Sequence, residues 1–265
     1  MNKLSTLSEK EYHEKYGITD TYLLTFDTYP EISLTGDTNT EGLKNGKLYR
    51  DSIVCPEVFK RDFVVTPDDL PRDKRTYIYK QFAEKQVKKI LFASDVREIE
   101  KMRKITLQYK FEGKPISEYV SEGIKNTALF WDTIVDRRKI QCKGLSDLIY
   151  FKDNTALLFT FKLVKNCSDF KSSTINYKYY RHGAFYTEAL RTIRPKLKNI
   201  RFVYITLEEN FPYGIMAYEL EEKYLCAGKH ENQNALIQSL KSNADKKFIR
   251  GEKKIILRKP DWLCA

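Results

Sequence analysis

The chain has 265 residues, 42% of them apolar and 13% aromatic, enough to build a buried core and to exclude a disordered polymer. Forty-seven Lys and Arg against 36 Asp and Glu give a formal charge of +11, which suits a phosphate-bearing partner and equally suits a solvated lysine-rich surface. Five cysteines without a CxxC pair argue against a zinc site or a disulfide framework, and no run approaches 18 apolar residues, so a cytoplasmic location without membrane insertion is expected.

Residues 1–45 read as a polar entry segment, with a domain expected over residues 46–265. Residues 1–17 lack the apolar run of a signal peptide, so secretion is not expected. An apolar patch with Tyr49, Ile53 and Val54 leads to Pro56 and to a short strand at residues 63–65. The spacing of Ile78, Phe82, Val87, Ile90 and Leu91 predicts a helix over residues 74–91. Ser94-Asp95 is a candidate N-cap for a second helix carrying Val96, Ile99, Met102 and Ile105. A short helical piece follows at residues 117–122.

The period then changes. Residues 127–131 and 140–150 read as paired strands joined by a turn at Asp136-Arg137-Arg138. A second turn, at Lys152-Asp153-Asn154, leads to residues 156–164, a near-continuous apolar run expected to be buried on both faces. A helix is predicted over residues 174–194, strands over 201–207 and 214–219, a helix over 231–240 and a strand over 254–258. Together these predict an α/β (α+β) fold with a central mixed sheet flanked by helices.

One segment carries recognisable chemistry. Asp147 ends one strand, and Thr160 and Lys162 lie two apart on the next, so they share a face. In metal-dependent nucleases a carboxylate occupies each of the first two positions, and together they hold Mg²⁺ that polarises the phosphate and acidifies a bound water. The lysine positions that water or steadies the charge that develops.

This segment and much of the chain, from Gly46 to Trp262, resembles the exonuclease VIII family of phage and prophage recombination nucleases, within the PD-(D/E)XK superfamily. The resemblance runs through Pro56-Glu57-Val58-Phe59, Phe63-Val64-Val65-Thr66-Pro67, Phe130-Trp131 and Cys142-Lys143-Gly144 with Asp147. It continues through Gly183-Ala184-Phe185-Tyr186, Glu208, Pro212-Tyr213 and Pro260-Asp261-Trp262. It implies the restriction-endonuclease-like fold, Mg²⁺ or Mn²⁺ as cofactor, and hydrolysis of linear double-stranded DNA. It also implies a single-strand-annealing recombination protein as partner and a ring-shaped homo-oligomer.

The departures from the family pattern are concentrated at the site. Arg50 stands where the family has a histidine, Asn126 where it has a glutamate, Thr160 where it has the second carboxylate, and His182 where it has a glutamine. Asp147 and Lys162 remain, which implies catalytic positions at Asp147, Lys162 and Thr160 and a metal on Asp147. Three readings therefore stand side by side: a DNA exonuclease with a degenerate centre, a silent relative that binds DNA or a recombination partner, and a protein-interaction subunit.

Each residue also has a structural reading. Asp147 and Lys162 are expected to pair with one another, because a buried lysine is expensive without a counter-charge. His182 is either a metal ligand or a packed, hydrogen-bonded histidine. Glu118 and Glu122 are candidates for a migrated carboxylate. Arg50, Lys165, Lys171, Lys178 and Arg181, continuing to Arg191, Arg194, Lys196, Lys198 and Arg201, form a basic set expected to face a DNA backbone.

Overall fold

The structure, a computed structural model, describes residues 2–7, 9–28 and 41–245. It opens with β1 (Lys3–Ser5), α1 (Glu9–Glu14) and α2 (Asp20–Thr28), followed by α3 (Glu41–Val54), α4 (Glu57–Asp62) and β2 (Phe63–Val65). Next come α5 (Tyr77–Glu84), β3 (Lys89–Leu91), α6 (Ala93–Gln108), β4 (Lys110–Phe111), β5 (Lys114–Pro115) and α7 (Ile116–Glu122). A long meander of β6 (Ile124–Val135), β7 (Arg138–Lys152) and β8 (Thr155–Val164) is followed by α8 (Phe170–Asn176) and α9 (Tyr179–Ile193). The described chain closes with β9 (Asn199–Glu208), β10 (Ile215–Glu219) and α10 (Glu222–Asp245). Among the described residues no helix is long and apolar enough to cross a membrane.

Six strands form the central sheet in the order β1-β6-β7-β8-β9-β10. Neighbours pair antiparallel except β8 and β9, which run parallel from Thr155↔Asn199 to Val164↔Glu208. A parallel neighbour needs a crossover, and α8 and α9 provide it. The meander turns are tight for a local reason. Asp136 and Arg137 both take positive φ (49° and 60°) between the paired Val135 and Arg138, the backbone that a two-residue hairpin requires.

Alternation along the central strands sorts side chains into two layers. On β8, Ala156 and Leu158 join a core with Ile149, Phe202, Tyr204 and the inner face of α9. Leu157, Phe159 and Phe161 join the opposite core, with Tyr49 and Ile53 of α3, Met102 of α6 and Tyr119 of α7. Both faces of β8 are covered, which is why its sequence reads as one apolar run. The same parity puts Asp147, Thr160 and Lys162 on the α9 side of the sheet.

Three expectations are corrected, and the entry segment gains detail. The helix over residues 74–91 ends at Glu84: Val87 is fully exposed, and Lys89–Leu91 pairs parallel with β2 and buries Leu91. Ser94-Asp95 does not cap α6. Phe92 occupies the N-cap without a side-chain bond, Thr66 Oγ1 accepts from the Ala93 amide at 3.1 Å, and Ser94 and Asp95 bind Arg72 instead. The helix over residues 174–194 is two helices, because Lys178 takes a left-handed conformation (φ 53°) between them. The polar entry segment is structured in part, with β1 paired on β6 and Leu23 of α2 buried in the α9-side core. The predicted strand over residues 254–258, the Pro260-Asp261-Trp262 motif and Cys264 lie outside the described residues.

Candidate nucleic-acid cleft

β7 and β8 stay paired from Lys152↔Thr155 to Leu148↔Phe159 and then part. Asp147 sits at this fork. Its Oδ2 accepts a hydrogen bond from the Phe161 backbone N–H at 3.0 Å, satisfying a buried donor of β8 beyond the last β7–β8 pair. On the other side of Asp147 the β6–β7 ladder is interrupted between Lys125↔Leu148 and Thr127↔Ser146, where Asn126 takes φ 45°. Asn126 thus lies across from Asp147 but does not line the cleft beside it.

That cleft has a volume of about 880 Å³ and is walled by α1, α2, α3, the β7–β8 fork and α9. Arg50 enters from α3, with its Nε 3.8 Å from Asp147 Oδ1 and a shorter contact of 2.6 Å to Asp51. Lys162 points to the same cleft but makes no ion pair with Asp147. Its Nζ lies over the Tyr179 ring, 4.3 Å from the centroid. The expected Asp147–Lys162 contact is therefore replaced by two separate ones, because Arg50 takes the place beside the carboxylate and Tyr179 covers the ammonium.

His182 is held by a residue that the sequence did not single out. Its Nδ1 lies 2.6 Å from Oδ2 of Asp20, at the start of α2. The ring also packs against Tyr186 and Phe202. Thr19 offered the available signal: its Oγ1 accepts from the Tyr22 amide at 3.1 Å, an N-terminal capping pattern legible as Thr-Asp-x-Tyr. Such a cap locates the helix start, but nothing local connects it to position 182.

Electrostatics divides the two carboxylates. Burial raises the Asp147 carboxyl above its ordinary value, against the pull of Arg50, the Phe161 N–H, His182 and Lys162. Burial acts on Asp20 in the same sense, yet the His182 ring, the Thr21 backbone N–H and Lys162 outweigh it and hold Asp20 below its ordinary value. Burial also lowers the Lys162 ammonium, opposed by Asp147 and Asp20.

Of the other residues in the predicted basic set, Lys178 and Arg181 also line the cleft but are engaged in ion pairs, and the rest lie outside it. Arg181 is buried, bound to Asp27 and, through Nε, to Asn232 at 2.9 Å, with Glu231 at 3.8 Å. Lys178 reaches Glu231 at 3.3 Å, while Lys165 and Lys171 are exposed beyond the cleft lining. Arg191 pairs with Glu188 and Glu222, and Arg201 binds Glu112 and Glu219 on the opposite layer, so the basic set is not one stripe. Glu118 and Glu122 pair with Lys114, away from the cleft. Lys143 of the Cys-Lys-Gly motif is structural: its Nζ donates to the carbonyls of Tyr12 (3.0 Å) and Lys15 (2.6 Å) at the end of α1. Gly144 beside it leaves room for Tyr186, whose hydroxyl accepts from the Leu145 amide and donates to the Leu145 carbonyl.

The donor set does not fit a hard divalent ion. One Asp147 oxygen accepts an amide and the other faces a guanidinium, Thr160 offers a neutral hydroxyl, and among the described residues no three His, Cys, Asp or Glu side chains converge.

No protein-family model matches the chain, and no curated protein matches it in sequence. Among solved structures, a crystal structure from Eubacterium rectale named "Putative exonuclease" superposes with a TM-score of 0.64 at 13% identity, covering 97% of this chain and 96% of that one. The fold is shared. The central mixed sheet flanked by helices, expected from the resemblance to PD-(D/E)XK nucleases, is present. The crystal structure of SSO0001 reaches a TM-score of 0.33 at 12% identity, over 82% of this chain and 85% of that one, and carries no argument.

Proposed function

We propose that this cleft binds the phosphate backbone of DNA at strand ends without hydrolysing it by the Mg²⁺ route. The observation that carries the reading is Arg50 Nε lying 3.8 Å from Asp147 Oδ1, a fixed cation beside the carboxylate that would otherwise hold metal. A guanidinium offers a phosphodiester charge and directed N–H donors. It does not generate a hydroxide from bound water, which is the step a metal contributes. Lys162 adds a second cation in the same cleft, and the formal +11 of the chain favours a polyanion.

The nuclease-like fold shared with the Eubacterium rectale protein supports DNA as the partner class, and the resemblance to exonuclease VIII nucleases supports a setting in recombination. In that setting a single-strand-annealing protein and further copies of this chain are the associates to look for.

A Mg²⁺- or Mn²⁺-dependent exonuclease is the second reading. It is favoured by Asp20, which brings a second carboxylate and an attached imidazole into the cleft of Asp147 and Lys162. End-labelled linear duplex separates the two. The binding reading expects a mobility shift that weakens steeply with salt, weakens in Lys162→Ala, and leaves the label intact with either ion. Metal-dependent shortening that disappears in Lys162→Ala would overturn it in favour of the enzyme.

A further inference from the structure

The junction between α8 and α9 puts an aromatic ring at the cleft where a nucleobase would lie beside a bound phosphate. Tyr177 lines the cleft and is 62% exposed, while its neighbours are anchored. Its ring centroid lies 5.7 Å from that of Tyr179, at 33°, and Tyr179 stacks at 5.5 Å on Phe170, which is buried in the core. Among the described residues Tyr179 is the one ring neighbour of Tyr177, so this short aromatic series runs from the interior and ends on an open ring.

The backbone there is set by an unfavourable conformation. Lys178 takes φ 53° and ψ 37°, a left-handed geometry disfavoured for a residue with a Cβ, and it breaks what would otherwise be one helix. The break is held on both sides. The Tyr177 amide donates to the Ser173 carbonyl at 2.9 Å, the Lys178 amide donates to the Ile175 carbonyl at 3.1 Å, and Lys178 Nζ reaches Glu231 of α10. A kink fixed in this way gives the exposed ring a defined position relative to Lys162, whose ammonium lies over the adjacent Tyr179.

We infer that Tyr177 is a stacking platform for an unpaired nucleobase of the strand whose phosphates meet Arg50 and Lys162. The inference rests on the DNA-binding reading above and narrows its ligand to a frayed or single-stranded end. Two arguments select an unpaired base. A base paired inside the duplex has both faces stacked, and the last pair of a blunt end is held on the helix axis, so a base free to turn its face onto a tyrosine within the cleft is an unpaired one. The cleft volume of about 880 Å³ lies within the roughly 300–1,000 Å³ of small-ligand pockets, which admits a few nucleotides of one strand and leaves a duplex at the mouth.

Fluorescence anisotropy on the full chain tests this with three labelled duplexes: blunt, ending in a short unpaired fork, and ending in the same fork built from abasic nucleotides. The fork should bind about tenfold more tightly than the blunt end, and the abasic fork should bind like the blunt end. Tyr177→Ala should abolish the preference for the fork over the blunt end, and Tyr177→Phe should retain it. Equal binding of the normal and abasic forks, or a fork preference that survives Tyr177→Ala, overturns the platform alone. Absence of binding to all three probes overturns the DNA reading together with it.

Discussion

His182 Nδ1 lies 2.6 Å from Asp20 Oδ2, a bond that ties α9 to the first turn of α2 across 162 positions of sequence. It gives the cleft one wall and orients the imidazole within it. The Asp20 carboxylate also has a definite pH signature.

The Asp20 carboxyl is held below its ordinary value in the folded chain. Its contribution to stability is therefore present above the unfolded carboxylate value of about 3.9 and is lost as pH falls through the lower folded value. Asp20→Asn should cost about 2 kcal/mol at pH 7, which is roughly 4–8 °C in Tm. Calorimetric melting as a function of pH checks this, with the gap between the two proteins closing under acid conditions. Equal melting temperatures at pH 7 would mean that the bond does not anchor α2.

Asp147 should behave in the opposite way. Burial raises its carboxyl, so the stability linked to it is complete below about pH 3.9 and is lost as pH rises through the folded value. Asp147→Asn keeps an acceptor for the Phe161 amide and removes the buried charge. A gain of about 1 kcal/mol, or roughly 2–4 °C, is expected at pH 7 and none at pH values near 3.5. A variant that melts lower than the parent at pH 7 would show instead that the attraction of Arg50 and Lys162 outweighs desolvation.

Lys143 is buried with its ammonium on the last carbonyls of α1, where a cation also opposes the negative end of the helix. Lys143→Met removes these donors and leaves carbonyls unpaired, at a cost of about 2 kcal/mol. Hydrogen exchange should report it locally. Amides of α1 should lose protection well before those of β7 and β8, and uniform loss across the sheet would contradict a local role.

Arg50→His combined with Thr160→Asp replaces the guanidinium beside Asp147 with an imidazole and adds a carboxylate on the same face of the sheet. Titration calorimetry with Mn²⁺ should show no saturable binding to the parent chain and saturable binding to the double variant. Silence of both proteins would count against Asp147 as the centre of a former metal site.

The hairpin of β7 and β8 was legible because strand alternation, a tight turn and a doubly buried apolar run are all written within some thirty consecutive residues. That alternation also put Thr160 and Lys162 on one face, and the structure joins Asp147 to that face. The helix break at Lys178 was not legible, since a lysine carries no residue-type signal for positive φ. The strand at Lys89–Leu91 was hidden for a related reason: its partner β2 lies more than twenty residues away, and its apolar positions also fit a helical period.

By itself the sequence determined the layered α/β scheme and the strand face on which the chemistry is set, because both follow from spacing between near neighbours. Only the tertiary structure decided what each charged group faces. Arg50 meets Asp147, Lys162 meets Tyr179, Asp20 meets His182, and Arg181 is withdrawn into the interior. These contacts join residues far apart along the chain, and they depend on which helix packs over which end of the sheet, a choice made by the shape and burial of whole elements.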